Sequence, residues 1–175
     1  RLVNLPQVVV TPHLGASTAE AQVNVAIDVA LEISKVLKEE PFKNAVNIPT
    51  LRPEVMKILS PYFSLAEKLG YFIAQLVEGR IKGLEIEYSG EITDYDLTPL
   101  TTLVIEGLLK LPLNGEVNIV NARVLAKQRG LRISERKETI DHDYNNKIRV
   151  TALTDRGERV VAGTFFRKND QRVVE

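Results

Sequence analysis

A single histidine near the start of the sequence stands where a proton-transferring residue could act. Three consecutive valines, Val8–Val10, precede Pro12 and His13, and Gly15 follows. An apolar run that stops at a breaker predicts a strand buried on both faces, which Pro12 ends because it has no backbone N–H. His13 is therefore expected at the carboxyl end of a strand, where ligands bind in open α/β sheets. Histidine is the side chain best suited to general acid or base chemistry near neutral pH.

The same residues also have a structural interpretation. A lone histidine after a strand is more often a surface or capping residue than a catalyst. Ser17 or Thr18 could cap a following helix, and Ser17 with Glu20 has the spacing of a capping box. Gly15 would allow the backbone to come close to a ligand. Spacing alone leaves both interpretations open.

A second group of charged residues lies later in the chain. Basic side chains outnumber acidic ones there, with Lys127, Arg129, Arg132, Arg136, Lys137, Lys147 and Arg149 against Glu135, Glu138, Asp141 and Asp143. Such a mixture indicates either a solvated face or a site for an anion. On a regular strand Arg136 and Lys137 would point to opposite faces, so they would not share one pocket.

No metal site is predicted. His142 lies between Asp141 and Asp143, but this short sequence offers no third well-spaced ligand.

Composition limits the classes of partner. The chain has 175 residues and equal numbers of basic and acidic residues, 23 of each, so nucleic acid and anionic membranes are not expected as partners. No apolar stretch approaches the roughly 20 residues that a membrane span needs. The chain has no cysteine, which is compatible with a cytoplasmic protein. No Gly-x-Gly-x-x-Gly sequence is present, and Arg1 is not an initiator, so we expect an excised fragment.

Two regions are predicted, with a boundary near Ile48. Apolar residues with a 3.6-residue period predict an amphipathic helix from Ala19 to about Lys38, which Pro41 ends. Residues 44–49 are then expected to form a short extended return. The second region is expected to contain helices Arg52–Leu59, Tyr62–Glu78, Asp96–Lys110 and Ala122–Arg129, and strands Ile81–Tyr88, Val117–Asn121, Leu131–Lys137, Ile148–Thr154, Arg159–Phe166 and Arg172–Glu175.

Several features of these elements are predicted in more detail. Pro61 would separate the first two helices of the second region, and Gly70 would weaken the longer one while allowing close packing. The turn Asp155-Arg156-Gly157 predicts an antiparallel hairpin. The order of helices and strands indicates an α/β (α+β) fold with a mixed sheet.

The stretch Thr11–Thr18, Thr-Pro-His-Leu-Gly-Ala-Ser-Thr, resembles the catalytic-histidine signature of the D-isomer-specific 2-hydroxyacid dehydrogenases. Asn44–Pro49 is similar to the crossing by which the chain of those enzymes leaves its catalytic core. The second region resembles the intervening domain of the D-3-phosphoglycerate dehydrogenase family at Ala66–Gly70, Tyr88–Ile92, Pro99–Thr101, Gly107–Leu109, Val120–Ala122, Gly130–Leu131 and Ala162–Thr164. The resemblance covers essentially the whole chain.

This resemblance implies both an architecture and an activity. Residues 1–48 would be the last strand and helix of a Rossmann-type catalytic core, and residues 49–175 an intervening regulatory domain. His13 would be the general acid/base, and His13, Leu14, Gly15 and Ala16 would border the NAD cofactor. The intact enzyme would oxidise 3-phospho-D-glycerate for serine biosynthesis, whereas the fragment would be inactive because the carboxylate and arginine of the family's site lie upstream.

The resemblance also implies partners. Lys137 lies where the family's intervening domain is expected to bind a phosphate-type anion effector, and a cytoplasmic homo-oligomer is expected, with an ACT domain absent from this piece. Two alternatives remain: a non-catalytic regulatory or oligomerisation module, and a parent enzyme that acts on another D-2-hydroxy acid.

Overall fold

The computed structural model describes residues 2–38, 45–46, 51–113, 116–138, 144–166 and 170–175. The chain divides into two compact units, Arg1–Ala45 and Val46–Glu175.

The first unit contains a 3-10 turn, Leu2–Asn4, and one long helix, α1 (Ala19–Leu37). Thr18 caps α1, because its Oγ1 accepts a hydrogen bond from the Ala21 amide at 3.2 Å. The predicted helix is therefore confirmed, and of the two expected caps Thr18 is the one used. The Ser17 and Glu20 capping box is wrong, since the cap lies one residue later.

The predicted strand Val8–Val10 is also wrong. These residues are in irregular backbone, and Val9 is 90% exposed. A strand needs a hydrogen-bonded neighbour, and none of the strands in the described residues pairs with this segment. Because these residues form no strand, Pro12 does not end one.

The second unit places helices against a five-stranded sheet. Its helices are α2 (Pro53–Leu76), α3 (Thr98–Lys110) and α4 (Ala122–Gln128), with a 3-10 turn at Glu91–Asp94. Its strands are β1 (Ile81–Gly90), β2 (Arg132–Glu138), β3 (Asn146–Thr154), β4 (Gly157–Phe165) and β5 (Gln171–Val173). The sheet order is β2-β1-β3-β4-β5, in which β1 and β2 are parallel and the other pairs antiparallel. The predicted mixed sheet and hairpin are confirmed.

The core lies between the inner face of the sheet and α2 and α3. On β1, Leu84, Ile86 and Tyr88 are buried, while Glu85 and Glu87 alternate to the other face, as the sequence predicted. A side chain at Gly163 of β4 would lie 2.8 Å from Leu65 of α2, so α2 packs directly on this strand. The alternation on β1 thus decides which face the helices cover.

One continuous helix replaces the two that Pro61 was expected to separate. Pro61 lies inside α2 on its exposed side. Leu59 before it and Leu65 after it are both buried in the core. Burial of these side chains on one continuous helix outweighs the roughly 3 kcal/mol that an interior proline costs. The prediction of a break was therefore wrong.

Close packing at Gly70 is confirmed. A Cβ at Gly70 would lie 2.0 Å from the Val104 carbonyl oxygen of α3, and one at Gly107 would lie 2.1 Å from the Glu67 carbonyl oxygen of α2. The two glycines thus allow the backbones of α2 and α3 to touch.

The predicted strand Val117–Asn121 is instead a turn. The Asn118 side chain accepts hydrogen bonds from the Val120 and Asn121 amides, and the Asn121 side chain accepts one from the Asn118 amide. These local bonds use the backbone donors that a strand would give to its neighbour. Gly130, with φ +71°, follows the C-cap residue of α4.

Candidate functional site

His13 lies in an exposed turn immediately before α1. The Ser17 amide donates to the Leu14 carbonyl at 3.3 Å, which closes the turn. Ala16 has φ +54°, a left-handed conformation that residues other than glycine seldom adopt. The His13 imidazole folds back over Gly15. The loop therefore presents the ring beside a stretch of exposed main chain.

The surroundings of His13 contain no orienting partner within the described part of the first unit. Neither the described hydrogen bonds nor the described ion pairs of residues 2–38 bring a carboxylate to this imidazole. A general acid/base is normally held in position by such a group. Any orienting carboxylate for His13 must therefore come from residues other than these.

Apolar side chains cover much of the surface of α1. Val25, Val29 and Ile33 are each about half exposed and line an open groove of about 490 Å³ that also reaches Ala16. Val23, Ile27 and Leu31, at four-residue spacing, form a second exposed apolar row. No residue of α1 is buried. An apolar surface on so much of a helix is typical of a segment that packs inside a larger core.

Lys137 lies on the inner side of edge strand β2. Its register partner on β1 is the buried Tyr88, whereas Arg136 pairs with Glu87 on the outer face, so the two basic side chains do diverge. The Lys137 ammonium donates to the carbonyl oxygens of Thr93 at 2.8 Å and Tyr95 at 2.7 Å. Through these two hydrogen bonds Lys137 links the 3-10 turn Glu91–Asp94 and the following residue, Tyr95, to the sheet.

Arg123 of α4 lies close to the same place, although the basic stretch had not singled it out. Its guanidinium donates to the Thr102 hydroxyl at 2.9 Å and pairs with Glu135 at 3.1 Å. Glu135 is two residues before Lys137 on the same face of β2. No sequence signal marks Arg123, because α4 and β2 meet only in the folded chain.

Asp96 completes this group of charges. Hydrogen bonds from the side chain and backbone amide of Thr98 hold the pKa of Asp96 below its usual value, and the cations of Lys137 and Arg123 lower it further. We call Asp96, Arg123, Glu135 and Lys137 the α3 N-terminal cluster. The cluster contains two cations, Arg123 and Lys137, and two carboxylates, Asp96 and Glu135, so its charges are mixed.

The other predicted basic residues are dispersed. Arg149 on the outer face of the sheet makes a two-pronged ion pair with Glu175, with both N–O distances 2.9 Å. Lys127, Arg129 and Arg132 are exposed around the end of α4 and the start of β2. The basic side chains of this stretch therefore lie on different surfaces of the second unit.

Another group of cations and aromatic rings lies near the C-terminal end of β4. The rings of Tyr144 and Phe166 meet edge to face at 6.1 Å between centroids. Lys147 lies 5.8 Å from the Tyr144 ring centre, and Arg172 lies 5.2 Å from that of Phe166. Arg172 also pairs with Asp170 at 2.9 Å. Side chains that are distant in sequence meet here through the β3–β4–β5 pairing.

His142, with Asp141 and Asp143, lies outside the described residues. Among the residues that the structure does describe, no group of three potential ligands is suitably placed to hold a metal ion.

No helix in the described ranges is both long enough and apolar enough to cross a bilayer.

The comparisons with known proteins agree with this architecture. Residues 58–175 match the family model described as the D-3-phosphoglycerate dehydrogenase intervening domain. A Synechocystis protein named D-3-phosphoglycerate dehydrogenase is 43% identical over 100% of this chain and 32% of its own length. The Bacillus subtilis protein of the same name is 35% identical over 100% of this chain and 33% of its own length.

A plant relative gives a similar result. D-3-phosphoglycerate dehydrogenase 2, chloroplastic, of Arabidopsis thaliana is 42% identical over 81% of this chain and 23% of its own length. The chain thus spans about a third or less of these curated relatives. The matches to the Synechocystis and Bacillus subtilis proteins cover the whole chain and so include Thr11–Thr18. The chain belongs to the D-3-phosphoglycerate dehydrogenase family, and its residues 58–175 form that family's intervening domain.

Proposed function

We propose that this chain is the part of an NAD-dependent dehydrogenase that carries the catalytic histidine and the intervening domain. The intact enzyme oxidises 3-phospho-D-glycerate at C2 in serine biosynthesis. The observation that carries this proposal is the match along the full length of the chain to relatives named D-3-phosphoglycerate dehydrogenase. That match includes the turn that presents His13.

His13 is proposed as the general acid/base. Loss of hydride from C2 turns the alcohol into a carbonyl, so the hydroxyl proton must leave as the hydride is transferred. An exposed imidazole at a turn can accept that proton and return it in the reverse reaction. Residues 1–48, the proposed end of the catalytic core, serve to place this side chain.

The His13–Ala16 turn is compatible with a flat cofactor ring. Leu14 and Gly15 are exposed, and the atoms nearest to a Cβ built at Gly15 belong to the His13 imidazole. When bound, NAD supplies the hydride acceptor. His13, Leu14, Gly15 and Ala16 then border the nicotinamide and keep the imidazole beside the substrate hydroxyl.

Replacement of His13 in the full-length enzyme tests this role. We expect His13→Ala to lower kcat by roughly 10²–10⁴-fold, the usual range for a lost proton-transfer group. The chain's other histidine provides the control, and His142→Ala should leave kcat unchanged. Near-normal turnover of His13→Ala would exclude His13 from the mechanism.

The 175-residue chain itself should form no NADH. Its sequence contains no Gly-x-Gly-x-x-Gly turn for the pyrophosphate. Incubation of the purified chain with NAD and 3-phosphoglycerate, followed by absorbance of the reduced cofactor, checks this expectation. Measurable NADH would contradict the proposal that the catalytic site is incomplete here.

For the second unit we propose a regulatory site for a phosphate-type anion at the α3 N-terminal cluster. The supporting observation is that Arg123 pairs with Glu135 on the same face of β2 as Lys137, and that both cations lower the pKa of Asp96. An ammonium has three donors, and Lys137 uses two of them on backbone carbonyls. The competing interpretation is a solvated face, because Asp96 and Glu135 already balance these cations.

Calorimetry with inorganic phosphate separates the two interpretations. We expect binding heat that Lys137→Ala removes and that Arg136→Ala, on the opposite face of the same strand, preserves. If phosphate gives no heat, or if both variants bind equally, the solvated-face interpretation stands.

A cytoplasmic homo-oligomer, which the family resemblance implies, completes the proposal. Size-exclusion chromatography checks this point. A stable dimer that binds no nucleotide would favour the alternative of a regulatory or assembly module. A panel of substrates for the full-length enzyme separates 3-phosphoglycerate from other D-2-hydroxy acids.

A further inference from the structure

We propose that Gly15 is a positioning residue for His13. Because Gly15 has no side chain, the His13 imidazole can occupy the space above it. This inference rests on the proposed role of His13. It differs from the expectation that Gly15 serves to bring the main chain close to a ligand.

The distance between the two residues carries the inference. A Cβ added at Gly15 would lie 2.8 Å from Nε2 of His13 and 3.5 Å from each carbon flanking that nitrogen. Separations under 3.0 Å are closer than a methyl carbon and a ring nitrogen can approach without displacement. The ring therefore occupies the space that any other residue at position 15 would fill.

The backbone of the turn does not itself require glycine at this position. The glycines with positive φ are Gly79, Gly90, Gly130 and Gly157, and Gly15 is not among them. Within the turn, the left-handed conformation belongs to Ala16, with φ +54°. An alanine at position 15 would thus fit the main chain, and its nearest close contact would be with the imidazole.

That conflict would be relieved at the functional side chain rather than in the fold. The nearest atom is the far end of a side chain that rotates freely about two bonds, in an exposed turn. We therefore expect Gly15→Ala to displace the ring and leave the structure intact. A displacement of about 1 Å in a reacting group can reduce turnover by roughly 10²-fold.

A double-mutant cycle in the full-length enzyme tests this coupling. Gly15→Ala should lower kcat by roughly 10–100-fold. In the His13→Ala background the same change should have no further effect on kcat, because the side chain through which it acts is gone. The imidazole ¹⁵N chemical shifts of His13 should also change in Gly15→Ala, and this readout does not depend on activity.

The outcomes separate this inference from the proposed function. If Gly15→Ala leaves kcat unchanged, lowers it equally in both backgrounds, or mainly weakens NAD binding, Gly15 does not act through His13. If His13→Ala alone keeps normal turnover, the proposed function fails, whereas unchanged imidazole shifts in Gly15→Ala would overturn the positional inference alone.

Gly130→Ala is the matched control. A Cβ there would meet no atom within 4 Å, although φ +71° strains it. This variant should lower the melting temperature without changing kcat. Gly15→Ala should instead lower kcat without changing the melting temperature.

Discussion

Tyr88 carries a hydroxyl group into the core of the second unit. Its side chain is fully buried, and its oxygen lies 2.8 Å from the hydroxyl oxygen of Thr101 on α3. Burial raises the pKa of Tyr88 above its usual value, because the phenolate would lose its hydration. The bond joins the central strand of the sheet to α3, and each hydroxyl satisfies the other.

Removal of one hydroxyl should therefore cost more than removal of both. We expect Tyr88→Phe to reduce the free energy of unfolding by about 1–2 kcal/mol, since Thr101 keeps a buried hydroxyl without its partner. The double variant Tyr88→Phe with Thr101→Val should recover part of that loss. Urea denaturation measures both, and equal losses would show that the bond contributes little.

Asp96 gives the second unit a pH dependence in the acid range. Hydrogen bonds from Thr98 lower its folded-state pKa below the reference value of 3.8. Its contribution to stability is thus complete above about pH 4 and is lost as the pH falls through the lower, folded-state pKa. We expect Asp96→Asn to reduce the fall in unfolding free energy between roughly pH 4 and pH 2, which chemical denaturation at several pH values measures. An unchanged slope would contradict this role.

At the scale of elements, α2 and α3 are held together by backbone contact as well as by side chains. Gly70 and Gly107 each face a carbonyl oxygen of the other helix. The Lys110 ammonium then joins Glu67 of α2 to Glu106 of its own helix. The acidic partners raise the pKa of Lys110, so this bridge persists in neutral and mildly basic solution.

Gly107→Ala tests whether this approach is required. Helix propensity alone predicts a gain of about 1 kcal/mol from a glycine-to-alanine change inside a helix. A Cβ at position 107 would instead lie 2.1 Å from the Glu67 carbonyl oxygen, and neither backbone can yield easily. We expect a net loss of about 1–3 kcal/mol or more in thermal or urea unfolding. A stabilised variant would show that the helices are farther apart.

At the scale of the whole molecule, the two units differ in how much core each possesses. The second contains buried side chains from its helices and sheet, including Leu69, Ile86 and Val150. The helix of the first, α1, has no buried residue. Burial of apolar surface is the main stabilising contribution to a fold, so only the second unit has a sufficient core of its own.

Residues 51–175 should accordingly fold without the first 50 residues. We expect this shortened chain to unfold cooperatively, with the same midpoint as the 175-residue chain, by circular dichroism and calorimetry. A peptide of residues 1–45 should be mostly unfolded, since most of the stability of helices in proteins comes from tertiary packing. A shortened chain that fails to unfold cooperatively would contradict the assignment of a complete core.

Local patterns were sufficient for most of the fold. The period-two alternation of Leu84, Ile86 and Tyr88 predicts the half-buried strand β1, and the Asp155-Arg156-Gly157 turn predicts the hairpin that joins β3 to β4. Such patterns are reliable because they depend on the chain's own geometry. Of the site, sequence locates the turn at His13 and predicts the divergence of Arg136 and Lys137.

Predictions failed where distant residues compete with local preferences. Val8–Val10 has strand composition but no paired neighbour among the described strands. Pro61 favours a helix break, yet the buried Leu59 and Leu65 keep α2 continuous. Asn118 and Asn121 bond to the local backbone and turn an apolar segment away from the sheet.

By itself, the sequence determined the family, the order of most elements and the position of the histidine turn, because each is written in contiguous residues. Only the tertiary structure decided that Arg123 joins Lys137 and Asp96 at the start of α3, and that the His13 ring lies over Gly15. The physical reason is that these contacts depend on how segments cross and how side chains rotate, which residue spacing does not encode.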